Sequence, residues 1–113
     1  MFPKNRRVAR SEFAPILKKG RTLHSPLLSL RVLEKKQCEK EPSTFAFVVS
    51  KKVAAKATAR NRIKRRGYAT LREIQSISPC HSCVVFFKKG ADTASFAALK
   101  KEILSLFKEA QLV

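Results

Sequence analysis

Acidic side chains are scarce: Glu12, Glu34, Glu39, Glu41, Glu73, Asp92, Glu102 and Glu109 are the 8 among 113 residues. Most fall in predicted caps, loops or wet helix faces, where capping and solubility account for them. Only 2 histidines stand beside them, His24 and His81, far apart in sequence and each near a strand start. General acid–base or nucleophilic chemistry on side chains therefore lacks a paired constellation. Glycine occurs 3 times, and no glycine-rich phosphate loop or hydrolase elbow is present. Long apolar runs are missing as well. The longest uncharged stretch, Ile74 to Phe87, contains Ser, Pro and His and is too short and too polar to span a bilayer. The opening MFPKNRRVAR is followed by no apolar run or small-residue cleavage site, so a cytoplasmic location is expected. The 3 cysteines make an odd number, which argues against a secreted disulfide scaffold. Cys80 and Cys83 have the spacing of a redox or zinc half-site, but a structural zinc needs four ligands and there is no second close pair. Reduced thiols are expected, with no metal or cofactor bound by the protein.

What the chain has in excess is positive charge: 25 Lys and Arg against 8 acids, a net charge of +17 and a pI near 10.6. Such an imbalance repels itself unless the partner is a polyanion that releases counterions on binding, so nucleic acid is the default partner. A basic protein lying on a membrane surface is the rival, but it needs an apolar helix face free for lipid, and the apolar faces here are needed for a core. With 44% hydrophobic residues and 8 Phe, the chain has enough apolar surface to fold. Its length suits one domain, residues 1–113, around one modest core.

Periodicity divides the chain into helices and strands. Ser11 is expected to cap a helix through EFAPILKK, with Pro15 in an early turn, Gly20 as a left-handed terminator and Phe13, Ile16 and Leu17 on one face. TLHSPLLSLRVLEKK alternates around Leu28, Leu30 and Val32 and reads as a strand, and QCEKEPST as a hairpin loop leading to a second strand, TFAFVVS. In that strand Phe45, Phe47 and Val49 face one side, while Ala46, Val48 and Ser50 face the other and leave a shallow floor. Ala59, Ile63, Gly67, Leu71 and Ile74 predict one long helix from about Ala55 to Ile74. Gly67 costs about 1 kcal/mol there relative to Ala, which points to close packing or a kink. CVVFFKK reads as a central strand buried on both faces. Thr93 or Ser95 is placed to cap a last helix with Phe96, Leu99, Ile103, Leu106 and Phe107 as its stripe and Lys100, Lys101 and Glu102 as its wet face. The order predicts an α/β sandwich, an about four-stranded mixed sheet with three helices.

The densest basic run is KATARNRIKRRGY, residues 56–68. Asn61, Arg62, Arg65, Arg66 and Arg72 fall on the arc opposite the apolar stripe, whereas Lys56, Arg60 and Lys64 recur beside it, at the edge where helix meets sheet. Arg offers a planar fork matched to phosphate, Lys a movable point charge, and Asn61 an amide that fixes a neighbouring arginine or reaches RNA. Composition alone also allows a merely solvated basic face.

VVSKKVAAKATARNRIKRR, from Val48 to Arg66, resembles the signature of the protein subunit of bacterial ribonuclease P. The arginine–asparagine–arginine core with its following lysine and arginine is Arg60, Asn61, Arg62, Lys64 and Arg65, preceded by Ser50, Lys51 and Lys52. RSEFAPILKKGR is similar to the first helix of that family, and VVFFKKGADTASFAALKKEI to its last strand and helix. The resemblance implies a ribosomal-protein-like topology with a left-handed βαβ crossover, against the usual rule. It also implies a division of labour in which a catalytic RNA with bound Mg²⁺ removes the 5′ leader of precursor transfer RNA and the protein assists.

By that resemblance Lys56, Arg60, Asn61, Arg62, Lys64 and Arg65, with Arg66, face the RNA subunit. The single-stranded leader is received in a cleft formed by Phe13, Leu17, Arg31, Ala46, Val48, Ser50, Lys51 and Lys52. Phe13 is placed to stack on a leader nucleotide or to pack in the core. The chain departs from the family pattern at Ala54 and Ala55, where a glycine is frequent, and at Gly67 and Tyr68, where a helix former and an arginine are common. Arg31 stands where an aromatic is expected in the cleft, so charge takes a larger share of holding the leader. Tyr68 is placed to stack on RNA or to pack on the sheet. A ribosomal or other RNA-binding protein of the same fold would share the basic helix without needing the cleft, and an independent protein nuclease would cut RNA alone.

Overall fold

The computed structural model describes residues 6–35, 38–74 and 76–113. A short 3-10 turn, Arg10–Glu12, leads into helix α1, Phe13–Lys19. Strands β1 (Arg21–His24), β2 (Leu28–Glu34) and β3 (Thr44–Val48) follow, then helix α2 (Ala57–Glu73), strand β4 (His81–Phe87) and helix α3 (Phe96–Glu109). The strands form one mixed sheet in the order β1-β2-β4-β3. The pairs β1–β2 and β2–β4 are antiparallel, and β3 runs parallel to β4, joined to it through α2. Three helices and four strands agree with the expected class.

Alternation sorts the sheet's side chains onto two unequal faces. Leu28, Leu30, Val32, Phe45, Phe47, Cys83, Val85 and Phe87 pack with Ile63 and Leu71 of α2 and with Leu99, Ile103, Leu106 and Phe107 of α3. The other face is thinner, with Ile16 of α1 buried on Ala46 and Val84, and Phe13, Leu33, Val48 and Phe86 around them. Gly67 serves close packing: a Cβ there would lie 2.6 Å from the Phe47 ring. Ser95 caps α3, its Oγ accepting from Ala98 N–H at 3.1 Å.

Local expectations fail in several places. Gly20 is extended (φ −71°, ψ 151°), because the chain runs straight into β1; glycine is required because a Cβ would come within 2.5 Å of the Ile16 carbonyl oxygen. Ser11 caps nothing, and Glu12 instead accepts from Ala9 N–H at 3.1 Å. TLHSPLLSLRVLEKK holds two strands, split where Ser25 and Pro26 turn the chain. That turn is held by Glu102, which accepts from Ser25 Oγ at 2.6 Å and Leu27 N–H at 2.9 Å and so is no wet-face residue. The loop before β3 is not a hairpin, since β4 lies between β2 and β3. Nor are all thiols reduced: Cys38 and Cys80 form a disulfide with Cα atoms 5.8 Å apart. The Glu34–His81 pairing brings the end of β2 and the start of β4 together, and this long-range neighbour is invisible to local spacing. Cys83 remains a free, buried thiol.

Candidate nucleic-acid interface

Helix α2 carries its cations in two different ways. Asn61, Arg62 and Arg65 are exposed along the outward arc, and Lys56 is exposed at the N-cap. Arg60 is half-buried and turns back, donating from Nη1 to the carbonyls of Ala54 at 3.0 Å and Ala55 at 2.7 Å. It fixes the bend leading into the helix. Arg66 leans toward α3, with Nη1 donating to the Ala94 carbonyl at 3.4 Å. Lys64 and Tyr68 are half-buried, and with Thr58, Asn61 and Arg65 they line an open groove of about 430 Å³. The Tyr68 ring meets Phe47 nearly perpendicularly, with centroids 4.8 Å apart. Burial raises the Tyr68 hydroxyl's pKa, against the opposing pull of a Phe47 backbone hydrogen bond and the Arg7 charge.

Across the sheet, α1 packs on the floor strands, the face on which the cleft is expected. Ile16 anchors α1 at 0% exposure, which leaves Phe13 half-buried on the same face and Leu17 41% exposed. Arg31, half-buried on β2, donates from Nη1 to the Leu17 carbonyl at 2.6 Å and ties the helix end to the sheet. Ala46 is buried and Val48 half-buried on the floor. Ser50, Lys51 and Lys52 are exposed in the turn after β3, closed by Val53 N–H to the Ser50 carbonyl at 3.1 Å. Ser50, Lys51 and Lys52 thus stand between the cleft floor and the start of α2. The far end of the cleft is polar: Glu12 accepts from Ser82 Oγ at 3.2 Å and pairs with Lys35 at 3.7 Å.

One residue of these surfaces was not singled out from the sequence. Phe86 is half-exposed on the cleft floor, so β4 is not covered on both faces along its whole length. The pairings Ala46–Val84 and Val48–Phe86 put it there, and the alternation within CVVFF was the available signal. Ile16, not Phe13, is the fully buried anchor of α1. Among the described residues no group of His, Cys, Asp and Glu is arranged to hold a metal ion, and no helix is long and apolar enough to cross a membrane.

The family model Ribonuclease P matches residues 2–111 of the chain. The chain belongs to the ribonuclease P protein family. The ribonuclease P protein component of Desulfosudis oleivorans is 37% identical over 105 residues, 91% of this chain and 83% of the relative. That of Syntrophomonas wolfei is 30% identical over 114 residues, 99% and 92%. Among solved structures, an RNase P protein mutant of Staphylococcus aureus with defective mRNA degradation activity superposes with a TM-score of 0.87 at 21% identity, over 97% of this chain and 92% of that one. The RNase P protein of Thermotoga maritima gives 0.80 at 25% identity, over 91% and 96%. As a ribonuclease P protein, the chain is a component of the ribonucleoprotein enzyme that matures the 5′ end of transfer RNA, and it helps the RNA subunit process its precursor.

Proposed function

We propose that the two surfaces divide the two RNAs between them, with α2 on the catalytic RNA and the cleft on the 5′ leader of precursor transfer RNA. The observation that carries this reading is the placement of cations and apolar floor on opposite faces of one sheet, with Ser50, Lys51 and Lys52 at the turn that joins them. Exposed Arg62, Arg65, Asn61 and Lys56, with half-buried Lys64, meet the phosphates of the RNA subunit. Arg60 and Arg66 shape that surface through their carbonyl contacts. In the cleft, Phe13 and Leu17 offer apolar contact, Ala46 and Val48 leave room, and Arg31, Lys51 and Lys52 supply charge to a single strand.

The protein works as one domain, residues 1–113, in the cytoplasm. Phosphodiester cleavage takes place on the RNA subunit with its Mg²⁺, and the protein contributes no catalytic side chain. Its positive field offsets repulsion between enzyme RNA and substrate RNA, and the cleft favours precursor over product because only the precursor has a leader. The test is cleavage of a precursor transfer RNA by a bacterial ribonuclease P RNA at low Mg²⁺, with and without the protein, across a series of leader lengths. Stimulation that needs both components and grows with leader length supports the reading. Stimulation independent of leader length removes the cleft assignment, and cutting by the protein alone removes the division of labour.

A further inference from the structure

The groove on α2 differs from the rest of that helix in holding a fixed aromatic ring. Thr58, Asn61, Arg65 and Tyr68 recur at three- and four-residue steps, so they share one arc, and Lys64 flanks it. Tyr68 is not a loose surface ring. Its near-perpendicular packing on Phe47, with centroids 4.8 Å apart, sets the ring plane. Gly67 makes that possible, because any side chain there would collide with Phe47. The groove therefore presents a rigid ring, an amide and a hydroxyl that can pair with a base edge, and two cations, Lys64 and Arg65, in the same lining. A duplex offers phosphates to cations but buries its base faces within the stack, so an aromatic floor is of use only to an unpaired base.

We infer that this groove is a nucleotide-binding site for one unpaired base of the RNA subunit, with the base stacked on Tyr68, its edge met by Asn61 or Thr58, and its phosphate gripped by Lys64 and Arg65. The inference rests on the reading that α2 faces the RNA subunit, and it adds a base-specific contact to a surface otherwise made of charge.

The chain reports on this site directly, because Tyr68 is its 1 tyrosine and there is no tryptophan. Tyrosine emission is followed in the unmodified protein during titration with a bacterial ribonuclease P RNA, with a single-stranded oligoadenylate, and with an RNA duplex of the same length. Saturable quenching by the first two and not by the duplex is expected. Affinity for the ribonuclease P RNA should fall roughly five- to hundred-fold in Tyr68→Leu, the range for losing one base–aromatic stack, and stay near the starting value in Tyr68→Phe. Should Tyr68→Leu fail to fold, the emission titrations still decide. Tight RNA binding with unchanged emission overturns the groove assignment and leaves the reading of α2 in place, as does equal quenching by duplex. An unchanged affinity in folded Tyr68→Leu overturns it too. If the RNA does not bind at all, or binds equally well to Arg62→Ala with Arg65→Ala, the reading of α2 itself fails.

Discussion

The ring of Phe47 fills the space in which residue 67 would carry a side chain, a Cβ at Gly67 lying 2.6 Å from Phe47 Cδ1. Helix propensity alone would make Gly67→Ala stabilising by about 1 kcal/mol. Phe47 is held between Tyr68 and Phe87, with ring centroids at 4.8 and 5.9 Å, and cannot step aside. Overpacking typically costs about 1–3 kcal/mol, so Gly67→Ala should lower the urea midpoint, and Phe47→Leu added to it should recover part of the loss. A higher midpoint for Gly67→Ala would show that the contact is slack.

The Cys38–Cys80 disulfide closes a loop with a sequence separation of 42. By the loop-entropy relation such a crosslink is worth about 4 kcal/mol at most. Dithiothreitol, or Cys38→Ser, should lower the melting temperature, with Cys38→Ser no longer responding to the reductant. Equal melting temperatures with and without reductant would show that the link adds nothing.

Arg31 ties the two walls together, standing on β2 and donating to the Leu17 carbonyl. Arg31→Ala should cut the affinity advantage of precursor over leaderless transfer RNA several-fold while leaving affinity for the RNA subunit unchanged. A uniform loss for both substrates would place Arg31 outside the cleft's function.

Removing single α2 phosphate contacts should reduce the salt dependence of RNA binding. For Arg62→Ala or Arg65→Ala, the slope of log affinity against log salt should become shallower by about one unit each. Arg60→Ala should act differently, lowering thermal stability as well, since its guanidinium holds the Ala54 and Ala55 carbonyls. An unchanged slope in the Arg62 and Arg65 variants would remove both from the interface.

Burial pushes the Cys83 thiol up to about 12. The unfolded chain releases that proton near the ordinary value of about 8.5, so above it the folded state binds more protons than the unfolded one. Cys83 therefore contributes stability that is complete below about pH 8.5 and is lost as pH rises toward 12. Denaturant titrations from pH 8 to 11 should fall less steeply for Cys83→Ala than for the parent, and native Cys83 should resist thiol reagents at neutral pH. Rapid labelling there would show that the thiol is open to solvent.

Legibility followed the range of the interaction. Helix α2 was readable within two residues at each end because Ile63, Gly67 and Leu71 repeat at helical spacing, and β4 was readable as central from its unbroken apolar run. The basic arc was likewise local, since Asn61, Arg62 and Arg65 need only the helix to be brought together. Sheet order was not local. Nothing near QCEKEPST says that β4 enters between β2 and β3, and the pairing that joins Cys38 to Cys80 depends on that order. Glu102 looks like an ordinary surface charge in sequence and Arg60 like a phosphate ligand at the helix edge, and only the folded chain reveals the turn and the carbonyls they hold.

The position of β4 between β2 and β3 also sets a timetable for synthesis. A ribosome completes β1, β2, β3 and all of α2 before it makes the strand that joins the two halves of the sheet. Until then β2 and β3 have no common neighbour, and α2 has only part of the surface that later buries Ile63 and Leu71. Pairings across such sequence distances form slowly, so the cationic helix is exposed to cellular RNA before the cleft exists. The leader-binding role proposed for the cleft thus depends on the last third of the chain to emerge, later than the helix proposed to attract a polyanion.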